Sequence, residues 1–142
     1  MATENQQIGI KEIYFLRNLI KISWDRGCLT DNEKPDAKKM FENLRETTIK
    51  QVISGKSSSF ELQLLRAIHN KINLIKKNPF YGDNIPKKLI PVTYAVQNLW
   101  RIELPGFWRM LYTIKGSQIE IVCFVKDILS HKDYNKKFGY SS

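Results

Sequence analysis

The feature that most constrains the fold is a change in the spacing of apolar residues along the chain. As far as about residue 78, apolar residues recur every three or four positions, which is the period of an amphipathic helix. From about residue 99 they alternate with polar residues, which is the period of a half-buried strand. A run of helices followed by a run of strands predicts an α+β fold.

Three segments have the helical pattern. The first is Ile10 to Asp25, although the mixed run Lys11 to Arg17 can also supply a first strand. The second is Asp36 to Ile53. The third follows Ser59, a good N-cap residue, and should end near Asn78, because a proline at position 79 disfavours helical geometry in the residue before it.

The last third of the chain predicts three strands in a meander, joined by Pro105-Gly106 and Lys115-Gly116 turns. Their expected bounds are Leu99–Leu104, Phe107–Ile114 and Gln118–Val125. We pair Leu104 with Trp108 and Ile114 with Ser117, because a shorter first loop would put Arg109 among the core side chains.

This register divides the strand residues between two faces. The apolar face, which we expect the helices to cover, collects Trp100, Ile102, Leu104, Trp108, Met110, Tyr112, Ile114, Ile119, Ile121, Cys123 and Val125. The other face, which we expect to stay open, collects Arg101, Glu103, Arg109, Glu120 and Lys126, with Phe107, Leu111, Val122 and Phe124 among them.

Composition narrows the classes of function. The 142 residues suit one domain, 1–142, with a core at 36–140 and an extension at 1–35. There are 23 Lys and Arg against 14 Asp and Glu, a net charge of +9, which favours polyanionic partners. Anionic lipid or an acidic protein would satisfy the same field.

Metal and membrane chemistry receive little support from the sequence. Cys28 and Cys123 form no CxxC pair, and His69 and His131 lie far from both in sequence. We therefore predict no metal and no cofactor, with Cys123 in the core of a strand. The most apolar early stretch is interrupted by charges and is too short to span a bilayer, so we expect no membrane partner and a cytoplasmic location.

Arg109 is the first candidate for chemistry. It lies in a strand between Trp108 and Met110, and its planar guanidinium can donate two parallel hydrogen bonds to a phosphate. A purely structural role, as a cross-strand ion pair with Glu103 or Glu120, is also open at this point.

His131 and Tyr134 are the second candidates, because a spacing of three residues puts both on one face of a helical turn. A neutral histidine can take or give a proton near neutral pH, and a tyrosine can stack on a base. The alternative is a surface histidine at a helix start with a tyrosine packed beneath it.

Several motifs together resemble the RelE/ParE toxin superfamily, most closely an archaeal-type branch. They are Asn78-Pro79-Phe80-Tyr81-Gly82, Ile85 to Pro91, the run from Asn98 to Tyr112 (NLWRIELPGFWRMLY), and His131-Lys132-Asp133-Tyr134 with Phe138-Gly139-Tyr140. The resemblance covers about residues 36–140. It implies a RelE-like α+β fold with N-terminal helices on a C-terminal antiparallel sheet, which we expect to have three to four strands.

The resemblance also implies roles for individual residues. Arg109 would stabilise charge on the phosphorane-like transition state, and Arg101 would hold a neighbouring phosphate. His131 would act as general acid or base, and Tyr134 would stack on or orient the nucleotide. Glu103 stands where some members have a lysine, and it would serve instead as a base. We expect the remaining RNA-binding positions to be Lys87, Lys88, Lys126 and Lys132.

The implied function is that of a toxin of a type II toxin-antitoxin system. It would cut mRNA on the ribosome without metal, by attack of the 2′-OH on the adjacent phosphate, and a cognate antitoxin protein would block it. The alternative is a non-catalytic RNA- or protein-binding module on the same fold, and the family also includes inhibitors of DNA gyrase.

Overall fold

Two helices and then most of a β-sheet follow one another along the chain, as the change in apolar spacing predicts. The computed structural model describes residues 20–24, 37–116 and 121–140. Within these residues the elements are strands β1 (Ile20–Trp24), β2 (Asp83–Asn84), β3 (Trp100–Glu103), β4 (Arg109–Gly116) and β5 (Ile121–Leu129), and helices α1 (Ala37–Ile53), α2 (Phe60–Lys77) and α3 (His131–Phe138). Short 3₁₀ turns lie at Lys87–Leu89, Val92–Tyr94 and Pro105–Phe107. The α+β class is therefore confirmed.

Serine side chains cap the beginnings of α2 and α3, and backbone hydrogen bonds close their ends. The Ser59 hydroxyl accepts a hydrogen bond from the backbone N–H of Leu62 at 3.0 Å, so it is the N-cap of α2, as predicted. The same helix ends at Lys77 with Asn78 as its C-cap. Ser130 caps α3 in the same way, and Gly139 closes that helix in the left-handed conformation with φ of 76°.

The sheet departs from the predicted three to four antiparallel strands. The described strands form one mixed sheet in the order β1-β5-β4-β3-β2, in which β1 runs parallel to β5 and the other neighbours are antiparallel. The additional strands are β1 and the two-residue β2, and they lie at the two edges.

The first strand corrects the helix predicted over 10–25. Residues 20–24 are a strand, whereas 10–19 and 25 lie outside the described residues. Apolar residues spaced four apart satisfy the strand period as well as the helix period, so Ile20 and Trp24 fit both. Pairing with β5 and the stacking of Trp24 on Phe41, with ring centroids 4.7 Å apart, favour the strand.

The first hairpin has the predicted register, but the second does not. The N–H of Leu104 donates to the carbonyl oxygen of Trp108 at 2.8 Å. Lys115 and Gly116, predicted as a turn, instead belong to β4, and Gly116 pairs with Ile121. The shift in pairing is an even number of residues, so the predicted faces of the sheet are unchanged here.

The helices cover the predicted apolar face. Its core consists of buried residues from α1, α2 and the sheet: Ala37, Leu64, Ile68, Ile75, Ile102, Leu104, Met110, Tyr112, Cys123, Val125 and Ile128. Burial raises the pKa of Cys123 to about 11, as expected for a thiol in a strand core. Cys28 lies outside the described residues.

The opposite face is not left open as predicted. A second cluster covers part of it, made of Ile85, Tyr94, Leu99, Leu111 and Tyr134. A β-bulge between Leu111 and Tyr112 turns Asp127 toward this cluster. There Asp127 accepts a 2.7 Å hydrogen bond from the Tyr94 hydroxyl and a 3.1 Å hydrogen bond from Lys137, which fastens α3 to the sheet.

Tyr112 joins the sheet to the end of α2. Its hydroxyl donates to the carbonyl oxygen of Pro79 at 2.7 Å and accepts from the N–H of Gly82 at 2.9 Å. Burial raises the pKa of Tyr112 to about 12. A Cβ on Gly82 would lie 2.9 Å from the carbonyl oxygen of Arg101, so glycine is required for this close approach.

Candidate functional site

Five of the predicted site residues meet on the face of the sheet that is opposite α1 and α2, beside helix α3. We call this group the arginine cluster; its members are Arg101, Glu103, Arg109, His131 and Tyr134. They come from β3, β4 and α3. The sheet register brings the first three together, and the N-cap of α3 sets the position of the other two.

Glu103 lies between the two arginines. It is directly opposite Arg109 in the register of β3 and β4, and Arg101 is two residues earlier on the same face. One Glu103 oxygen lies 3.4 Å from Arg101 Nε and 3.6 Å from Arg109 Nε. The cross-strand ion pair that the sequence left open is therefore formed with Glu103, whereas Glu120 lies outside the described residues.

Both of these Nε atoms are buried and make no hydrogen bond with good geometry. The contacts to Glu103 are consequently ion pairs with long N···O distances rather than short charge-assisted hydrogen bonds. A charge-assisted hydrogen bond from an arginine to an anion is typically about 2.7–2.9 Å long, so the contacts of Glu103 are longer than such a bond.

Tyr134 is the platform beneath the arginines. Its side chain is 3% exposed, and its hydroxyl accepts a 3.1 Å hydrogen bond from Arg101 Nη1. The guanidinium carbon of Arg109 lies 4.5 Å from the centre of the ring, and the ring of Phe138 stacks against it at 4.4 Å. Because the ring is covered in this way, Tyr134 orients the two arginines here and does not offer a face to a base.

His131 lies at the exposed edge of the cluster. Arg109 Nη1 donates to its Nδ1 at 3.1 Å, since an arginine can only donate. Nε2 lies 3.2 Å from the side-chain amide of Asn135, one helical turn later. Arg109 therefore contacts Glu103 through Nε and His131 through Nη1.

Phe107 is a residue of this site that the sequence analysis did not select. Its carbonyl oxygen accepts a 3.0 Å hydrogen bond from Arg109 Nη1, and its ring centroid lies 5.9 Å from that of His131. It has a left-handed backbone with φ of 62°, which costs about 1–2 kcal/mol for a residue with a side chain. The signal in the sequence is an aromatic residue directly after Pro105-Gly106 in a three-residue hairpin loop.

Asp83 is a second residue that the sequence analysis did not select. Its carboxylate lies 3.6 Å from Arg101 Nη2, so the two carboxylates Asp83 and Glu103 balance the formal charge of the two arginines. Burial opposes the charge of Arg101, but the Tyr134 hydroxyl and the two carboxylates outweigh it and raise the pKa of Arg101 above its ordinary value. Arg101 thus stays charged.

The predicted lysines lie around the cluster rather than in it. Lys87 and Lys88 are exposed in the first 3₁₀ turn, and Lys87 contacts Gln97 at 3.4 Å. Lys132 is exposed in the first turn of α3, and Lys126 is half-buried at the bulge in β5. Within the described residues, no hydrogen bond or ion pair joins Lys87, Lys88 or Lys132 to the arginine cluster.

Comparisons of the chain with family models, curated proteins and solved structures gave no significant match. In the part of the chain that the structure describes, no group of His, Cys, Asp and Glu side chains could hold a metal ion. No helix in that part is long and apolar enough to cross a membrane. The groups of the arginine cluster can bind an anion and can accept or donate a proton.

Proposed function

We propose that the chain is an endoribonuclease that cuts RNA by attack of a 2′-OH on the adjacent phosphate, leaving a 2′,3′-cyclic phosphate. One observation carries this proposal. Arg109, which can bind a phosphate, contacts a carboxylate at Nε and an imidazole at Nη1. A phosphate on Arg109 would thus have a proton acceptor and a proton carrier within reach on two sides.

The arginines supply the electrostatic part of the reaction. Arg109 binds the reacting phosphate and stabilises the negative charge that grows on its non-bridging oxygens. Its Nη2 takes part in no hydrogen bond or ion pair with the described residues, so two N–H groups remain for a phosphate oxygen. Arg101 holds a neighbouring phosphate, and the Tyr134 platform keeps both guanidinium groups in place.

The proton transfers fall to Glu103 and His131. Ionised Glu103 accepts the proton of the 2′-OH as the bond between the 2′ oxygen and phosphorus forms. Phosphate that binds Arg109 draws Nη1 away from His131 Nδ1, so the imidazole is released and can take up a proton. The imidazolium then gives a proton to the 5′ oxygen as its bond to phosphorus breaks. The products are a cyclic phosphate and a 5′-hydroxyl.

We further propose that the chain is a RelE-like toxin of the RelE/ParE superfamily that acts on mRNA in the ribosome. The motif resemblance supports this, as does an α+β architecture in which α1 and α2 cover one face of the sheet. The net charge of +9 favours a polyanionic partner such as ribosome-bound mRNA. A cognate antitoxin would then be the second partner.

The test is a translation reaction with the purified wild-type chain, in which the 3′ ends of the mRNA are mapped with and without ribosomes. We expect cuts that depend on the ribosome and end in a 2′,3′-cyclic phosphate. Intact mRNA in an actively translating reaction would refute the proposed activity.

A second function, that of a non-catalytic RNA- or protein-binding module, is favoured by the two carboxylates. Asp83 and Glu103 compensate the charge of Arg101 and Arg109, which weakens the field available to a reacting phosphate. Such a module would bind RNA in a salt-sensitive way without cutting it, even on translating ribosomes.

A further inference from the structure

Phe107 combines three properties that its structural role does not explain. Its side chain is 70% exposed, although an apolar aromatic ring gains free energy by burial. Its backbone lies in the left-handed region, where a residue with a side chain is disfavoured. Its carbonyl oxygen and its ring contact Arg109 and His131, so the ring is displayed beside the arginine cluster.

The loop sequence accounts for this display. Gly106 also has a left-handed backbone, and a Cβ on it would lie 2.7 Å from the ring of Phe60. The loop thus lies close against Phe60 at the start of α2, and the ring of Phe107 is exposed on the side of His131. Strain of this kind in a residue beside reactive groups is typical of functional sites.

We propose that Phe107 receives an unpaired RNA base by stacking, namely the base of a nucleotide whose phosphate lies on Arg109. This rests on the proposed function in that the ligand is single-stranded RNA. A base is joined to its phosphate through one ribose, so the two lie close together, and Phe107 lies close to Arg109 because its carbonyl oxygen accepts a 3.0 Å hydrogen bond from Arg109 Nη1. Tyr134, the aromatic residue expected to do this, is buried beneath the arginines.

Stacking on an aromatic side chain is tolerant of sequence, because every base has a π-face. Phe107 would therefore position the nucleotide and favour unpaired RNA over a duplex, without choosing among the four bases. Removal of one such stack lowers affinity by roughly 5- to 150-fold.

The experiment measures binding of short 2′-O-methyl RNA, which lacks the attacking 2′-OH and cannot be cut, by fluorescence anisotropy at low salt. A series of oligonucleotides carries one abasic residue at each position in turn. The wild-type chain is compared with Phe107→Leu, which keeps a side chain on the left-handed backbone and removes only the ring. Phe80→Leu is the control, because Phe80 is 59% exposed and packs on Trp100 of the opposite face.

We expect one abasic position to weaken binding by the wild-type chain roughly 5- to 150-fold, and Phe107→Leu to weaken binding of intact RNA by a similar factor. In the Phe107→Leu variant the same abasic position should cause no further loss of affinity. The Phe80→Leu variant should bind both the intact and the abasic RNA with the affinity of the wild type. An equal abasic effect in wild type and Phe107→Leu, or no RNA binding by the wild type, would overturn the inference.

Cleavage in the translation reaction separates this inference from the proposed function. If the wild type cuts mRNA but Phe107 and the abasic position are not coupled, the inference fails alone. If they are coupled but the wild type leaves mRNA intact, the base-stacking role stands and the catalytic proposal fails.

Discussion

Replacement of Glu103 by glutamine tests two roles of this carboxylate, the internal counter-ion seen in the structure and the proposed general base. Glutamine has almost the same size and shape, so the variant removes the charge between Arg101 and Arg109 with little change in packing. Arg109, whose side chain is 13% exposed, then loses its ion pair with Glu103, and the amide oxygen of glutamine remains as a neutral acceptor beside its Nε.

The expected effect on binding follows from two ion pairs at 3.4 and 3.6 Å. In water, unit charges at such a distance interact by about 1 kcal/mol, and exposed pairs typically contribute about 0.2–1 kcal/mol each. A phosphate that no longer competes with Glu103 should therefore bind roughly 2- to 30-fold more tightly. The slope of log K against log salt should steepen by about 0.7 if one more phosphate is neutralised on single-stranded RNA.

Cleavage should change in the opposite direction. Loss of a general base slows a reaction by about 10²–10⁴-fold, so Glu103→Gln should bind RNA more tightly and cut it more slowly. Binding is measured by anisotropy with 2′-O-methyl RNA over a range of salt concentrations, and cleavage is measured in the translation reaction.

The control is Glu42→Gln, which makes the same change in net charge at an exposed position on α1, on the other side of the sheet. Equal affinity and equal salt slope in Glu103→Gln and Glu42→Gln would refute the counter-ion role. Wild-type cleavage by Glu103→Gln would refute its role as the base.

Two further substitutions test the framework of the site. Tyr134→Phe keeps the ring beneath Arg109 but removes the hydroxyl that accepts a hydrogen bond from the charged Arg101. The free energy of unfolding, measured in urea, should therefore fall by about 1.5 kcal/mol. A change near zero would contradict the platform role. Tyr112→Phe leaves the N–H of Gly82 without its acceptor and should lower the free energy of unfolding by about 1–3 kcal/mol near neutral pH. Because the pKa of Tyr112 is raised to about 12 from an ordinary value of 10, its contribution is complete below pH 10 and is lost as the pH rises toward 12. The difference in stability between wild type and Tyr112→Phe should therefore shrink over that range, and a constant difference would contradict the assignment.

The sequence predicts the parts of the fold that depend on local period and local chemistry. Ser59 and Pro79 mark the ends of α2 because capping and the geometry before proline act within a few residues. The register of Leu104 and Trp108 was predictable, because an alternative register would bury the charge of Arg109.

Long-range pairing explains what the sequence did not predict. Residues 20–24 become a strand because β5, a hundred residues later, offers a free edge. The bulge at Leu111 and Tyr112 places Asp127 on the second face, and no local pattern indicates where a bulge will form.

The candidate site was likewise predictable where it depends on local pairing and not where it depends on distant contacts. Arg109 and Glu103 were predictable as neighbours, because they lie opposite one another in a hairpin of known register. The contact of Arg109 with His131 depends on the docking of α3, which the sequence predicts only through family resemblance. The sequence puts Phe107 on the face expected to stay open, but its contacts with Arg109 and His131 depend on two consecutive left-handed residues, Gly106 and Phe107 itself.

The most direct test of the central claim compares the wild-type chain with Arg109→Ala combined with His131→Ala in a translating reaction, with the mRNA 3′ ends mapped. Each group should contribute roughly 10²-fold or more to cleavage if it acts as proposed. We expect the wild type to give ribosome-dependent ends with a 2′,3′-cyclic phosphate and the double variant to give none above background. Equal cleavage, or equal arrest of translation, by the two proteins would contradict the account.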